Sequence, residues 1–486
     1  MSALSEAIAG RPPTAGLDAV SPLHGLRRGS IRTVDLVAQS VAAVAPAGVL
    51  LAQTSGLVSR AGSFAFFDLL LTATIVVLVA LSMSIFARRI SAAGGIYTFV
   101  TRGLGPLLGM VAGAAMALGY AAISIDTLRS GVRRITSLID PTGGDGALPA
   151  VLVLLGGAVI TLVIALGARM STRIMLVIEA IAVSAILIVS VAVFASTGWN
   201  LSPLVPDLSH VPPITSFAGG IGIAVVAFVG FESGAALGPE SRRPLSSVPR
   251  ALVWTACALA AVYLFGVAAQ LSAMPAAGQE GTLLADAAYL SGASWVEPTI
   301  DIVIAASWVA CTLACTNALV RLVFSMAREG VLPRLLGATS RRFASPHIAA
   351  VAIGAILTFG TLVRLWGGRE SLYADVIGIA TSMGFILAYL LVSAAACAYL
   401  LRLREFSFRE AWPALVATVA LAGVVATEVA GIGSSRVALW VFAALVAGLA
   451  LAHVVRCRYG PATVRVGVYD TPVASDALRA DQPWPR

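Results

Sequence analysis

The chain is 486 residues long, 58% of its residues are hydrophobic, and only 12% are charged. Soluble globular proteins carry a charge at about 25% of positions, so this composition excludes an ordinary soluble enzyme. The formal net charge is +8, and every basic residue apart from the histidines is an arginine. These arginines fall in short clusters between apolar runs, where lipid headgroups explain them better than nucleic acid does. We therefore expect an integral membrane protein that does not bind nucleic acid.

Twelve apolar runs are long enough to cross the hydrocarbon core of a bilayer, which needs about 20 residues. The stretches 1–30 and 458–486 are polar and are predicted to be disordered tails. The stretch between them, 31–457, is predicted to be all helical. The runs lie at about 33–57, 66–87, 104–128, 148–168, 174–196, 217–238, 250–272, 299–326, 347–366, 374–401, 411–431 and 437–456.

The distribution of arginine predicts the orientation of these spans. With the N-terminus in the cytoplasm, 24 arginines fall on the inner side, 7 on the outer side and one, Arg321, within the eighth run. Cytoplasmic loops are the ones enriched in arginine, so both termini are predicted to be cytoplasmic, in a bacterial inner membrane. An outer cluster of Arg129, Arg133 and Arg134 goes against this rule. Either the third helix ends in a basic patch, which we favour, or its boundary is misplaced.

Two runs contain features that interrupt a helix. The first reads Ala-Val-Ala-Pro-Ala-Gly-Val over residues 43–49, where Pro46 lacks an amide and Gly48 relaxes the backbone. The sixth has Gly230, Glu232 and Gly234 near its middle. Transporters with inverted repeats bind substrate at two interrupted helices in corresponding positions of the two halves. Glycine and proline also serve close packing or kinks in membrane helices, so a purely structural role stays open.

Glu232 is the most informative of these residues, because a carboxylate within a span costs roughly 3 kcal/mol on insertion scales. Two roles follow: a gating or proton-linked group, or a protonated acid bonded to a neighbouring helix. The five cysteines lie in or at the ends of apolar runs. Neither a disulfide framework nor a metal site is predicted from them, since no histidine or acid completes a ligand set.

The sixth run and the loop after it carry the most specific signal in the chain. Residues 228–233 read Phe-Val-Gly-Phe-Glu-Ser, residues 238–244 read Gly-Pro-Glu-Ser-Arg-Arg-Pro, and residues 248–251 read Val-Pro-Arg-Ala. This pattern resembles the sixth helix and following loop of the amino acid-polyamine-organocation (APC) superfamily of permeases. Residues 93–97 and 102–106, and residues 326–333 after the eighth run, agree with it.

The resemblance implies a LeuT-like fold, a five-plus-five inverted repeat with two extra C-terminal helices, and alternating access to a central site. Repeat 1 would cover about 33–196, repeat 2 about 217–401, and the extra helices about 411–456. It also implies that the first break holds the substrate's carboxylate and that carbonyls of both breaks hold its ammonium. The residues so implied are Ala47, Gly48 and Val49 for the carboxylate, Ala43 to Ala45 and Phe228 to Gly230 for carbonyls, Pro46 at the break, and Phe231 as a wall.

Coupling is left open by the sequence. Some relatives use a lysine in the fifth helix, and this chain has no lysine. Glu179 in the fifth run and Glu232 are candidates for proton linkage, and Thr312 and Thr316 are candidates for a sodium site. Exchange of one solute for another is equally allowed, and no bound cofactor is expected.

The leading hypothesis is thus an amino acid permease without enzymatic activity, acting as a monomer or a homodimer. Many relatives have Gly-Ser-Gly at the first break, whereas this chain has Pro46-Ala47-Gly48, which removes a hydroxyl and an amide. A polyamine or other organic amine therefore stays open as the substrate. A transport-shaped sensor is a further alternative. The residues expected to form the site walls, including Val49, Phe228 and Phe231, are apolar and favour a neutral or apolar amino acid as substrate.

Overall fold

The structure is a computed structural model that describes residues 23, 25–140, 147–209, 213–277, 296–368, 371–431, 435–459 and 466–470. Within these residues the fold is a bundle of α-helices joined by turns and short 3-10 helices. The helices of the first half are α1 (Thr33–Val44), α2 (Pro46–Ala61), α3 (Ala65–Ala87), α4 (Ile96–Leu104), α5 (Pro106–Ile139), α6 (Leu148–Ala165) and α7 (Ala168–Ser196). Those of the second half are α8 (Ile214–Ala227), α9 (Pro244–Ala277), α10 (Val296–Arg328), α11 (His347–Trp366), α12 (Leu372–Arg402), α13 (Phe408–Gly431) and α14 (Arg436–Tyr459).

Eleven helical segments of the described chain are long and apolar enough to cross a membrane. They coincide with eleven of the predicted runs. The remaining run, the sixth, is divided: α8 ends at Ala227, a turn follows, and a 3-10 helix spans Ser233–Glu240. The first run is divided too, into α1 and α2, by Ala45.

The helices differ in how much of their surface the protein buries. α5 packs along α10 and α12, and most of α5 and α10 is buried inside the bundle. α6, α13 and α14 expose most of their apolar surface, as expected of helices whose outer face contacts lipid. The two broken helices lie in the interior, where α1 contacts α7, α9 and α10, and α2 contacts α8.

Three features differ from the sequence-based boundaries. The third helix, α5, continues past the predicted end at residue 128 to Ile139, so Arg129, Arg133 and Arg134 lie on its last turns, and Arg134 pairs with Asp301 at 2.5 Å. Their location on the outer side of the membrane stays a prediction. A short helix, α4, precedes it. The polar stretches at the termini are not wholly disordered, because residues 25–30 and 466–470 are ordered against the bundle, with Leu26 buried.

Candidate functional site

The first break is the single residue Ala45, whose backbone is left-handed (φ 51°, ψ 61°). Pro46 explains it, because proline has no N–H to continue the hydrogen bonds of α1 but is well suited to the first position of a new helix. The amide of Ala45 closes α1 on the carbonyls of Val41 and Ala42. A non-glycine residue in this conformation is strained, and such strain concentrates at functional sites.

The N-terminus of α2 presents two unused backbone donors. The Val49 amide donates to the Ala45 carbonyl at 2.9 Å, so it is already occupied. The amides of Ala47 and Gly48 have no backbone acceptor among the described residues. A helix N-terminus with free amides favours an anion. Of the three residues expected to hold a carboxylate, Ala47 and Gly48 are therefore the ones with backbone donors to offer.

The second break is the turn Phe228–Glu232 between α8 and the 3-10 helix, and it lies against the first. Gly230 has φ +104°, and a Cβ built on it would lie 2.7 Å from the carbonyl oxygen of Ala43. Only glycine fits this close approach of two backbones. The two interruptions that the sequence predicts in separate runs are thus adjacent in space.

Glu232 ends the second break, and its carboxyl group is buried and fully engaged. Tyr120 of α5 donates to one oxygen at 2.6 Å, and Tyr389 of α12 donates to the other. The Gly230 amide also contacts that second oxygen, at 3.2 Å. Glu232 therefore links the turn to two helices outside the broken pair.

An apolar pocket begins at Val49, four residues after the first break, and lies between α2, α3, α8 and α9. Its wall includes one polar aromatic residue, Tyr263, whose hydroxyl is buried without a hydrogen-bond partner among the described residues. The pocket is lined by Val49, Leu50, Thr54, Leu57, Leu69, Ile223, Ala224, Ala227, Tyr263 and Val267. The pocket begins at Val49, the residue after Gly48, so the two amides and the apolar cavity belong to the same end of α2, which suits an amphiphilic ligand with an anionic group.

Comparison with known proteins identifies the family of this chain. A family model described as amino acid permease matches residues 35–368, which include both breaks. The chain belongs to the amino acid permease family. As a member of the APC superfamily it is a multi-pass membrane transporter of amino acids.

Named relatives of this permease are distant in sequence, but each alignment covers most of the relative's length. The branched-chain amino acid permease BcaP of Bacillus subtilis is 24% identical over 391 residues, covering 74% of this chain and 78% of that protein. BcaP of Lactococcus lactis is 26% identical over 334 residues, covering 63% and 71%. The methylthioribose transporter of Bacillus subtilis is 24% identical over 383 residues, covering 73% and 80%.

The other residues expected at the permease's site occupy less direct positions. The Ala43 carbonyl accepts a hydrogen bond from the Cys311 thiol at 3.0 Å. Phe228 packs edge-on against Tyr263, with ring centroids 5.1 Å apart. Phe231 packs against Tyr389. Both phenylalanines are fully buried, and neither lines the apolar pocket.

The candidate coupling residues other than Glu232 lie on α7 and α10. Glu179 is buried and accepts a hydrogen bond from Ser307 at 3.1 Å. The Thr312 hydroxyl lies 2.9 Å from that of Thr127 and donates to the backbone one turn back, at 3.0 Å. Thr316 contacts Ser124 at 3.4 Å. Both threonines therefore bond α5, and a sodium site on them stays a prediction.

A buried polar network that joins α1, α10 and the 3-10 helix after the second break was not predicted. Gln39 of α1 donates to the Ala314 carbonyl of α10 and accepts from Asn317, each at 2.8 Å. Arg321 contacts Asn317 and pairs with Glu240 at 2.6 Å. Arg321 and Glu240 are almost fully buried, so each charge depends on the other. The sequence signal for this network was Arg321, because an arginine within a membrane span needs a buried partner.

Trp308 is the second feature that sequence reasoning missed. A Cβ on Gly48 would lie 2.6 Å from the Trp308 ring, so the indole covers the first break from α10. Gly48 is thus needed to make room for the ring as well as to free the backbone. The sequence gives no sign of this contact, because aromatic residues are common in spans and Trp308 is 260 residues away from Gly48.

Proposed function

We propose that this permease moves an apolar, branched aliphatic amino acid across the bacterial cytoplasmic membrane by alternating access. The observation that carries the proposal is the apolar pocket that begins at Val49, one residue after the unused amides of Ala47 and Gly48. Two relatives that are named branched-chain amino acid permeases support the same substrate class.

The backbone of the two breaks would hold the zwitterionic part of the substrate. The amides of Ala47 and Gly48 face no competing acceptor in the described chain, so a carboxylate at this helix N-terminus gains two charge-assisted hydrogen bonds. The carbonyls of Ala43 and Ala45, at the C-terminal end of α1, would accept hydrogen bonds from the substrate's ammonium. Pro46 removes one amide, but the remaining two match the two oxygens of a carboxylate.

The pocket would then receive the substrate's side chain. Its wall is aliphatic except for Thr54 and Tyr263, and the Thr54 hydroxyl is already bonded to the Leu50 carbonyl at 2.6 Å. A charged side chain would lose its hydration there without a compensating partner. This argues against a cationic amino acid or a polyamine and favours leucine, isoleucine or valine.

The arrangement of the chain in the membrane is part of the same proposal. α8 and the 3-10 helix that follows the second break together extend about 37 Å, enough for the roughly 30 Å hydrocarbon core. With the eleven longer segments they would make twelve spans, two repeats of five and two additional helices, with both termini in the cytoplasm. For coupling we favour Glu232 as a proton-linked group, since Thr312 and Thr316 already bond α5.

The experiment that tests this function is a ligand series on the purified permease. Leucine is compared with isoamylamine, which lacks the carboxylate, and with 4-methylpentanoate, which lacks the ammonium. A ligand at a hundred times its dissociation constant adds about 2.7 kcal/mol of stability, which a thermal-shift measurement detects. Stabilisation by leucine alone, with leucine counterflow in proteoliposomes, is the expected result. Equal stabilisation by isoamylamine would contradict the carboxylate site and favour an amine permease.

A pocket-filling variant tests the side-chain pocket separately. Ala227→Leu adds three carbon atoms to the pocket wall, so leucine binding is expected to weaken at least about tenfold while alanine binding persists. Ala443→Leu, on the exposed face of α14, is the matched control. Equal loss of leucine and alanine binding in Ala227→Leu would contradict this placement of the side chain.

A further inference from the structure

Residues 466–470 fold back onto the end of the bundle at which α1 begins. Arg102 of α4 donates two hydrogen bonds to the Gly467 carbonyl, at 3.1 and 2.9 Å. The same guanidinium lies 4.5 Å from the centre of the Tyr469 ring, in a cation–π contact. Gly467 has φ +77° and packs against Thr101. One side of this segment is thus fixed to α4.

The other side of the segment contacts the end of α10. The Val468 amide donates to a carboxyl oxygen of Glu329 at 2.9 Å, and Tyr97 donates to the other oxygen. Val468 also packs against a small apolar cluster, separate from the main core, that comes from three stretches of the chain. The cluster consists of Leu23, Leu26, Ala93 and Phe324.

The last residue of the segment reaches the stretches around α1 and α3. The Asp470 amide donates to the Ser91 carbonyl at 2.6 Å, and the Asp470 carboxylate pairs with Arg28. Arg28 lies just before α1 and Ser91 just after α3. Five residues therefore join the entrance of α1, the end of α3, α4 and the end of α10.

The same end of the bundle is closed in the structure. Ile31 pairs with the chain after the second break, accepting from the Arg242 amide at 3.0 Å, and Gln39 bonds Asn317 across α1 and α10. Access to the breaks from this side requires α1 to separate from α10. A segment bonded to both sides of that seam must release at least one of them first.

We propose that residues 466–470 are a strap that holds this end of the permease closed and releases when the end opens. The proposal rests on the alternating-access function above, because that function requires the end to open. The strap makes hydrogen bonds to a charged donor, a cation–π contact and an ion pair. Hydrogen bonds to charged groups are stronger than those between neutral groups, so losing the strap should favour opening by about tenfold or more.

Hydrogen–deuterium exchange of two truncated chains tests the strap without any substrate. One chain ends after residue 465 and lacks the strap, and the other ends after residue 470 and keeps it. We expect about tenfold faster exchange at residues 89–104 and 324–332 in the shorter chain, since these segments lose their partner. The longer truncation should exchange like the full chain. Equal exchange in all three proteins would overturn the proposal.

A full-length variant guards against misfolding of the shorter chain. In Gly467→Val the new Cβ would lie 2.6 Å from Thr101 on a backbone of positive φ, so the strap cannot dock. Gly431→Val, at a position with no atom within 4 Å of the added Cβ, is its control. Faster exchange in Gly467→Val alone is expected, and exchange equal to that of Gly431→Val would contradict a strap.

Leucine counterflow on the same proteins separates the two proposals. Faster counterflow together with faster deuterium exchange in the strapless chain supports both. Faster deuterium exchange without leucine transport in any of the proteins supports the strap as a closure and contradicts the proposed substrate. Leucine transport with unchanged deuterium exchange supports the function and overturns the strap.

Discussion

The two breaks interrupt their helices in different ways. The first is one strained residue, Ala45, followed at once by a new helix whose Ala47 and Gly48 amides are unused. The second is a five-residue turn whose Glu232 carboxyl group is bonded by Tyr120, Tyr389 and the Gly230 amide. One break offers free donors to a ligand, while the other satisfies its own polar groups.

This difference assigns separate tasks to the breaks. A site for an anion needs donors that nothing in the protein has taken, which only the first break provides among the described residues. The Glu232 carboxyl group instead bonds two tyrosines from other helices, so its hydrogen bonds depend on where those helices lie. We therefore expect changes at the first break to act on binding, and changes at the second to act on folding and on the conformational cycle.

The largest expected effect is that of Gly230→Ala at the second break. The new Cβ would lie 2.7 Å from the Ala43 carbonyl on a backbone with φ +104°, so both a clash and backbone strain oppose folding. We expect little monodisperse protein on size-exclusion chromatography and a strongly lowered Tm. Gly423→Ala, with open space around it, is the control. An unchanged Tm would show that the two backbones are not in contact.

Gly48→Ala at the first break should abolish most of the substrate affinity while the protein still folds. The added Cβ would lie 2.6 Å from the Trp308 ring, which must shift away from Gly48 and so alters the cover of the break. Gly56→Ala, on the same helix with its nearest contact at 3.9 Å, is the matched control. A loss of about tenfold or more in leucine affinity is expected by thermal shift. Retained affinity would mean that the substrate binds elsewhere.

Glu232→Gln should reduce transport and flatten its pH dependence with a smaller effect on binding. The amide nitrogen of glutamine cannot accept the hydrogen bond that the carboxyl oxygen accepts, so one tyrosine loses its partner. Uptake is measured between about pH 5 and pH 8. Glu179→Gln, at the other buried acid, tells which of the two carries the pH dependence. Unchanged uptake across this range would contradict both the gating and the proton-linked role of Glu232.

Glu329 provides a buried carboxyl group outside the spans for comparison. Burial raises its pKa to about 7 from 4.5, against the opposing hydrogen bonds from Tyr97 and Val468. The folded protein therefore holds a proton that the unfolded chain has lost, and stability falls as the pH rises from about 4.5 to about 7. We expect this group to lower the Tm of the parent protein by a few degrees at pH 8 relative to pH 5. In Glu329→Gln this difference in Tm should disappear. The same slope in the variant would contradict the assignment.

The smallest expected effect is that of Cys311→Ala at the first break. A thiol is a weak donor, so losing its bond to the Ala43 carbonyl should change stability by less than about 1 kcal/mol. Tyr389→Phe, which removes a hydroxyl bond to a carboxyl group at the second break, should cost more. Denaturation of the two variants side by side measures this. A larger loss of stability in Cys311→Ala than in Tyr389→Phe would mean that the first break, not the second, depends on its own hydrogen bonds.

The all-helical architecture and the positions of the two breaks were largely predictable from the sequence. Apolar runs of sufficient length, Pro46 in the first and Gly230 with Glu232 in the sixth are local signals, since each follows from backbone chemistry within a few residues. The pairing of Gly230 with Ala43 was implied only by corresponding positions in the two halves. The contacts of Trp308, Gln39 and Arg321 were not predictable, because each joins helices far apart in the chain.

By itself, the sequence determined that the chain is a membrane protein, which segments are apolar enough to span, and where two of them break. These properties depend on composition and on single residues, and the bilayer imposes them on any arrangement of the helices. Only the tertiary structure decided that Val49 is not a free donor, that Val49 lines an apolar pocket, and that residues 466–470 bind Arg102 and Glu329. Such features depend on packing between distant segments, which composition and periodicity do not encode.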